Sequence, residues 1–103
     1  MAEYKAKRPR RRPTHPGRIL REEVVPDLGI TVVDLAKALD VSRQTLHRIL
    51  AEEAPVTPLM AAKLAAYLGT TPELWATMQV AVDLWDVREK HARELKRVAS
   101  QAA

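Results

Sequence analysis

Apolar residues recur at helical spacing in two short segments between residues 31 and 50, TVVDLAKALDVSRQTLHRIL. This pattern predicts two helices, each of which buries one stripe. Thr31 and Ser42 stand where N-caps belong, because their hydroxyls can accept hydrogen bonds from the free N–H groups of a first turn. Only Asp40 and Val41 separate the two patterns, so the second helix must cross the first steeply, as in a helix-turn-helix. The positions expected to be buried are Leu35, Ala36, Leu39, Leu46, Ile49 and Leu50.

The second of these helices leaves a hydrogen-bonding face opposite its buried stripe. No side chain on that face is acidic, and it includes types that read base edges, since Arg forks onto guanine and Gln pairs with adenine. The helix N-terminus also offers N–H groups and a partial positive charge to a phosphate. A solvated face on an ordinary helix pair is the alternative, but the tight turn and the two caps favour DNA recognition. The candidate DNA-contacting residues on this face are Arg43, Gln44, Thr45, His47 and Arg48.

Before this pair, one helix is expected. Pro16 suits a first helical turn, and the helix should run from about residue 17 to residue 25 and stop at Pro26. His15 is interpreted as a local hydrogen-bonding residue, because the three histidines of the chain have no spacing typical of metal ligands.

After the pair, two more helices are expected. Thr57 and Thr71 are each followed by a proline, which combines a cap with a residue suited to the first helical position. Gly69 supplies a left-handed stop to the first of these helices, whereas nothing breaks the second before the end of the chain. Along this last helix, four large apolar residues follow one another at intervals of three, four and three positions, so they share one face. We interpret this face, called the seam, as core packing that extends into a homodimer interface. The seam consists of Trp75, Met78, Val82 and Trp85.

Composition narrows the possible functions of this 103-residue chain. The apolar fraction of 47% supports one core, and the absence of cysteine excludes disulfides and thiolate chemistry. No apolar run approaches the length of ~18 residues that a membrane span needs. Neither a nucleophile with a partner base nor a Gly-rich phosphate loop is present, so we expect a protein that is not an enzyme and needs no metal or cofactor.

The net charge of +4 is concentrated at the N-terminus. Residues 1–13 carry six Lys or Arg and one Glu, whereas the other ninety residues are net −1. We expect residues 1–14 to form a disordered basic arm that lies along phosphates or enters a minor groove, and a solubilising tail is the alternative. The candidate arm contacts are Arg8, Arg10, Arg11 and Arg12.

Three segments together resemble the HigA-type antitoxins, which belong to the phage-repressor-like helix-turn-helix proteins. They are THPGRILREEVV, DLAKALDVSRQTLHRIL and TPLMAAKLAAYLGTTPELWATMQVAVDLW, and the resemblance covers about residues 15–88. It implies an all-α, five-helix domain with an extended C-terminal helix, in which residues 15–70 bind DNA and residues 71–103 complete the core and dimerise. The motif match adds Ser42 to the DNA-facing positions.

The resemblance also implies a function. A protein of this kind represses its own operon by binding a palindromic operator, and it neutralises a ribosome-dependent messenger-RNA endonuclease toxin in the cytoplasm, where it associates with the nucleoid. A stand-alone regulator without a toxin, or a toxin-sequestering protein with weak DNA binding, are the alternatives. The sequence departs from the family at Val32, at Asp40 in place of a turn glycine, and at Glu52-Glu53, and each departure is expected to weaken contacts with the DNA backbone.

Overall fold

The computed structural model describes residues 9–102, and all regular secondary structure in that range is helical. This confirms the all-α prediction. The first helix, α1, covers residues 16–28 in three consecutive segments, Pro16–Ile19, Leu20–Val24 and Val25–Leu28. The others are α2 (Val32–Ala38), α3 (Arg43–Leu50), α4 (Pro58–Leu68), α5 (Pro72–Lys90) and α6 (Ala92–Ala99).

Four helices begin at the caps that the sequence predicts. The hydroxyl of each cap accepts a hydrogen bond from the N–H group three residues later, at 3.0–3.3 Å. Each bond satisfies one of the donors that the first turn of a helix leaves without an internal partner. The capping residues are Thr31, Ser42, Thr57 and Thr71.

The prediction that Pro26 ends the first helix was wrong. The segment Leu20–Val24 is a π-helix, and the N–H of Val25 donates to the carbonyl of Leu20, five residues earlier. A proline inside an α-helix clashes with the carbonyl four residues before it. Here the π turn comes first, and Pro26 lies in the first turn of the next α-helical segment, Val25–Leu28, a position where an N–H group has no intrahelical partner to lose. The helix ends at Gly29, in the left-handed conformation (φ 65°).

The turn between α2 and α3 is as tight as predicted. Asp40 adopts the left-handed conformation (φ 54°), which Asp tolerates better than most residues. Its N–H donates to the carbonyl of Lys37 at 3.1 Å, and the N–H of Val41 donates to the carbonyl of Ala36 at 3.0 Å. These two bonds form a Schellman motif, which satisfies the last carbonyls of α2. Lys63 on α4 donates to the Asp40 carbonyl at 3.0 Å and ties the corner to the next helix.

One core lies between the first four helices and the N-terminal half of α5. Both halves of the helix-turn-helix contribute the stripes that the sequence predicts, and Trp75 closes the core from α5. The indole N–H of Trp75 donates to the hydroxyl of Thr70 at 2.9 Å, so this large side chain is buried without an unpaired donor. The large side chains that are fully buried include Leu20, Leu35, Leu46, Leu64 and Val82.

Although the sequence contains no breaker after Pro72, the C-terminal helix is divided in two. His91 leaves the helical conformation (φ −111°, ψ 27°) and separates α5 from α6. Neither glycine nor proline marks this point, but the chain here has moved past the core, and no residue of α6 is buried. Within residues 9–102, no helix has both the length and the apolar character that crossing a membrane demands.

Candidate nucleic-acid interface

The helix α3 is divided sharply into a buried stripe and an exposed face. Leu46, Ile49 and Leu50 are buried, with exposed fractions of 0%, 2% and 6%. This confirms the predicted inward stripe and leaves the opposite face to solvent. The six sequence-predicted DNA-contacting residues, Ser42, Arg43, Gln44, Thr45, His47 and Arg48, are all exposed.

Two of these residues hold the start of α3 in place. The Ser42 hydroxyl oxygen accepts from the N–H of Thr45 at 3.0 Å, and the hydroxyl donates to Thr45 Oγ1 at 2.7 Å. The Ser42 hydroxyl thus has its proton and one lone pair engaged within the turn. Among residues 9–102, the N–H groups of Arg43 and Gln44 and the Thr45 hydroxyl proton have no hydrogen-bond partner, which is the arrangement that suits a phosphate oxygen.

The remaining four side chains of the face are not tied to the rest of the subunit. Within residues 9–102, no carboxylate lies within 4.0 Å of Arg43 or Arg48, and neither Gln44 nor His47 makes a side-chain hydrogen bond. Two guanidinium groups and one amide are thus available for bidentate contacts with bases or phosphates. In the described part of the chain, no ion pair offsets the charge of Arg43 or Arg48.

The N-terminus of α1 packs directly against the C-terminal half of α3. Gly17 lies so close to α3 that a Cβ atom at this position would be 1.8 Å from the carbonyl oxygen of Ile49. His15 caps α1, because its Nδ1 accepts from the N–H of Gly17 at 2.9 Å, which confirms its interpretation as a local hydrogen-bonding residue. Burial lowers the pKa of His15, which is 4% exposed. No pattern in the sequence indicates that this N-terminal opening of α1 determines the position of α3.

The C-terminus of α3 is held by a residue that sequence reasoning missed. Arg21 on α1 donates to the carbonyl oxygen of Leu50 at 2.6 Å and lies 3.4 Å from the Glu52 carboxylate. Glu52 has a left-handed backbone (φ 63°), and the N–H of Glu53 donates to the carbonyl of Arg48 at 2.8 Å, as in the turn before α3. Glu52 therefore faces α1. No sequence signal links two residues 31 positions apart.

The basic segment before α1 is partly bound to the folded domain. The guanidinium of Arg12 forms two hydrogen bonds with Asp86 on α5, at 2.8 and 2.9 Å. These bonds hold the pKa of Asp86 below its ordinary value and raise the pKa of Arg12. Arg10 and Arg11 are exposed, whereas Arg8 lies outside the described residues. Of the predicted arm contacts, Arg12 is thus engaged by its own subunit.

The predicted seam of the C-terminal helix is split between two environments. Trp75 and Val82 are buried in the subunit core, whereas Met78 and Trp85 are only half-buried. Gln79, which the hydrophobic pattern missed, occupies the buried position between them. Its Oε1 accepts from the N–H of Val56 at 2.8 Å and its Nε2 donates to Asp83 at 3.0 Å, so it fastens α5 to the loop after α3.

Within residues 9–102, no group of His, Asp and Glu side chains is arranged to hold a metal ion.

Comparison with known proteins gives a consistent result. Residues 20–75 match the model of the family HTH_3, described as helix-turn-helix. The antitoxin HigA-1 of Vibrio cholerae is 43% identical to the chain, over 86% of this chain and 84% of that protein. An uncharacterized helix-turn-helix transcriptional regulator of Haemophilus influenzae is 44% identical, over 75% of this chain and 72% of that protein.

Solved structures with the same fold include DNA complexes. The antitoxin GraA in complex with its operator has a TM-score of 0.79 and 37% identity, and the match covers 96% of both chains. The Pseudomonas aeruginosa antitoxin HigA with the higBA promoter has a TM-score of 0.78 and 31% identity, over 84% of this chain and 94% of that chain.

Proposed function

The chain belongs to the helix-turn-helix family of HigA-type antitoxins, and from that premise we propose that it is a DNA-binding antitoxin that represses its own operon. The observation that carries the proposal is the exposed α3 face, which holds no acidic residue and whose two arginines have no ion-pair partner within residues 9–102. An ordinary surface helix would gain from local ion pairs, whereas a reading helix needs its donors free until it meets a base edge.

We assign separate roles to the residues of this face. Arg43, Gln44 and Arg48 contact base edges in the major groove, where their forked or paired donors distinguish guanine and adenine. The N–H groups of Arg43 and Gln44 and the Thr45 hydroxyl bind a phosphate and set the register of α3 on the duplex. Ser42 acts mainly by holding this turn, and His47 lies beside the arginines on the same face.

A homodimer fits the apolar surface that one subunit leaves uncovered. Leu84 on α5 and Leu95 on α6 are exposed by 45% and 43%, and Val80, Val87 and Val98 by 45–63%. A second copy packed on this surface would bury it and would generate the two-fold symmetry that a palindromic operator requires. We expect the two copies of α3 to lie about 34 Å apart, one turn of DNA. Residues 15–70 then form the DNA-binding unit and residues 71–103 the dimerising unit.

The partner that follows from antitoxin membership is a toxin encoded beside this gene, of the messenger-RNA endonuclease kind. We propose that the protein acts in the cytoplasm by binding the operator and the toxin, and not as an enzyme. A stand-alone regulator would bind the operator without a toxin partner. Co-purification from the native operon separates the two, because an antitoxin elutes with the neighbouring product and a stand-alone regulator elutes alone.

A gel-shift titration on the DNA upstream of the gene tests the role of the α3 face. Replacing Arg43 or Arg48 by alanine should weaken specific binding by about 1–3 kcal/mol if each contact is bidentate to a base. Arg18→Ala is the matched control, since it removes an exposed arginine of α1 that is already paired with Glu22, and it should leave operator affinity nearly unchanged. Equal affinity of Arg43→Ala, Arg48→Ala and the unaltered chain would refute the assignment.

A further inference from the structure

A cleft of about 200 Å³ lies on the side of the subunit where the chain before α1, the loop after α3 and the middle of α5 meet. It is open to solvent and has room for one side chain rather than a helix. Carboxylates dominate its charged lining, which consists of Arg12, His15, Glu52, Glu53, Asp83 and Asp86. Phosphate would be repelled here, so the cleft is not an extension of the DNA-binding face.

The carboxylates of the cleft are only partly neutralised. Asp86 is paired with Arg12, and Glu52 lies 3.4 Å from Arg21. Glu53 and Asp83 have no Lys, Arg or His nitrogen within 4.0 Å among residues 9–102. Both carboxylates line the cleft without an ion pair among the described residues, and Asp83 accepts one hydrogen bond, from Nε2 of Gln79 at 3.0 Å.

A buried histidine adds a donor to the cleft. Because Nδ1 of His15 accepts from the N–H of Gly17, the neutral ring carries its proton on Nε2. The His15 side chain is only 4% exposed, and its Nε2 has no hydrogen-bond partner within the described residues. No buried polar atom in that part of the chain lacks a partner, so Nε2 must reach the solvent of the cleft that the ring lines.

Arg12 shows how this surface accepts a guanidinium. Its Nε and Nη2 bind the two oxygens of Asp86 in a bidentate pair, and its Nη1 lies 3.9 Å from Glu52. Planar guanidinium groups bind carboxylates in this forked geometry more readily than lysine does. The two remaining carboxylates offer a second cation the same chemistry beside Arg12.

We propose that this cleft is a docking site for an arginine side chain of the antitoxin's protein partner. The guanidinium binds Glu53 and Asp83, and a peptide carbonyl next to that arginine accepts a hydrogen bond from Nε2 of His15. The proposal rests on the proposed function, in that the partner is the toxin. It places the toxin contact on a surface other than the exposed face of α3, so that operator binding and toxin binding use different residues.

The test measures the dissociation constant between the full-length chain and the protein encoded by the adjacent reading frame, by isothermal titration calorimetry. The double variant Glu53→Gln/Asp83→Asn removes the two uncompensated charges at constant size, and it should weaken the complex by roughly tenfold or more. The control Asp27→Asn/Glu89→Gln removes two exposed charges outside the cleft and should change the affinity less than twofold. Raising the salt concentration should weaken the unaltered complex more than that of Glu53→Gln/Asp83→Asn.

Gel shift on the upstream DNA, run on the same samples, shows that the variants are folded, because Glu53→Gln/Asp83→Asn should bind the operator at least as tightly as the unaltered chain. A toxin affinity that is equal in Glu53→Gln/Asp83→Asn and in the control variant overturns the docking site and leaves the proposed function intact. The absence of any complex with the unaltered chain overturns the toxin assignment and the docking site together.

Discussion

The α1–α3 junction and the C-terminal helix α6 show opposite ways of using a helix in this subunit. At the junction, Ile49 and Leu50 are buried side chains whose carbonyl oxygens face Gly17 and Arg21. In α6 no residue is buried, and Leu95 is 43% exposed. The first region is packed within the subunit, whereas the second presents apolar surface that no other part of residues 9–102 covers.

The contrast between the buried junction and the exposed α6 corresponds to two different tasks that we propose for α3 and α6. A reading helix must be held in one orientation, because an error of about 1 Å would misplace every base contact, and buried backbone contacts provide that rigidity. A dimerising helix needs apolar area that becomes buried only when the partner arrives. The amphipathic pattern looks similar in both regions, but only at the junction does it specify packing within one chain.

The largest expected effect is on the free energy of unfolding, when one leucine from each region is replaced by alanine. Leu46→Ala removes a fully buried side chain from α3 and should lower the free energy of unfolding by about 2–5 kcal/mol. Leu95→Ala should lower the unfolding free energy of the dissociated subunit by no more than about 0.5 kcal/mol, because the side chain is already exposed. Urea unfolding at low protein concentration measures both. Sedimentation equilibrium should show that Leu95→Ala weakens dimerisation, and equal losses of unfolding free energy would remove the distinction between the regions.

The next effect concerns the close contact beneath α3. Gly17→Ala places a methyl group against the Ile49 carbonyl, so α1 and α3 must separate, and we expect a loss of about 1–3 kcal/mol in unfolding free energy together with weaker operator binding. Gly29→Ala makes the same chemical change where no atom lies within 4 Å of the new Cβ, and its cost is backbone strain of about 1 kcal/mol.

Unfolding by urea and gel shift together distinguish the two glycines. Gly29→Ala should retain the operator affinity of the unaltered chain, because it leaves the position of α3 unchanged. If Gly17→Ala also bound the operator normally, the contact between α1 and α3 would not determine how the reading helix is presented.

The features that the sequence predicted are those that depend on near neighbours. The caps at Thr31 and Ser42, the two-residue corner at Asp40 and the outward face of α3 all follow from spacing within a few residues. Local hydrogen-bonding capacity and helical periodicity are sufficient to specify them. This is why the helix-turn-helix and its exposed face were predictable before the rest of the fold.

The features that were missed depend on distant contacts or run against local propensity. Arg21 and Gln79 acquire their roles from residues that lie 29 and 23 positions away along the chain. Pro26 is accommodated by a π turn, and His91 ends α5 although many helices tolerate histidine. A hydrophobic pattern assigns a polar residue to the exposed face even where it is buried. The hydrogen bonds by which Gln79 connects α5 to the loop after α3 are therefore seen only in the three-dimensional structure.

The smallest expected effect is the pH dependence of stability that His15 causes at the α1–α3 junction. Burial lowers the pKa of His15 in the folded chain, so the unfolded chain binds more protons as the pH falls below the ordinary value of about 6.5. Stability should therefore be constant above that value and decrease as the pH falls toward 5.5, with a slope of at most about 1.4 kcal/mol per pH unit. The Arg12–Asp86 pair also loses stability in acid, but only as Asp86 is protonated, below its ordinary pKa of 3.8 and so outside this range.

Urea midpoints between pH 7.5 and 5.5 measure this effect in the unaltered chain and two variants. His15→Asn keeps a side-chain oxygen that can accept from the N–H of Gly17, as a cap should, but it cannot titrate, so the decrease should become smaller. His47→Gln replaces an exposed imidazole on α3 and should retain the decrease. A decrease of the same size in His15→Asn would mean that the buried ring at the α1–α3 junction does not control acid stability, and the contrast between the rigid junction and the exposed C-terminal region would lose its pH signature.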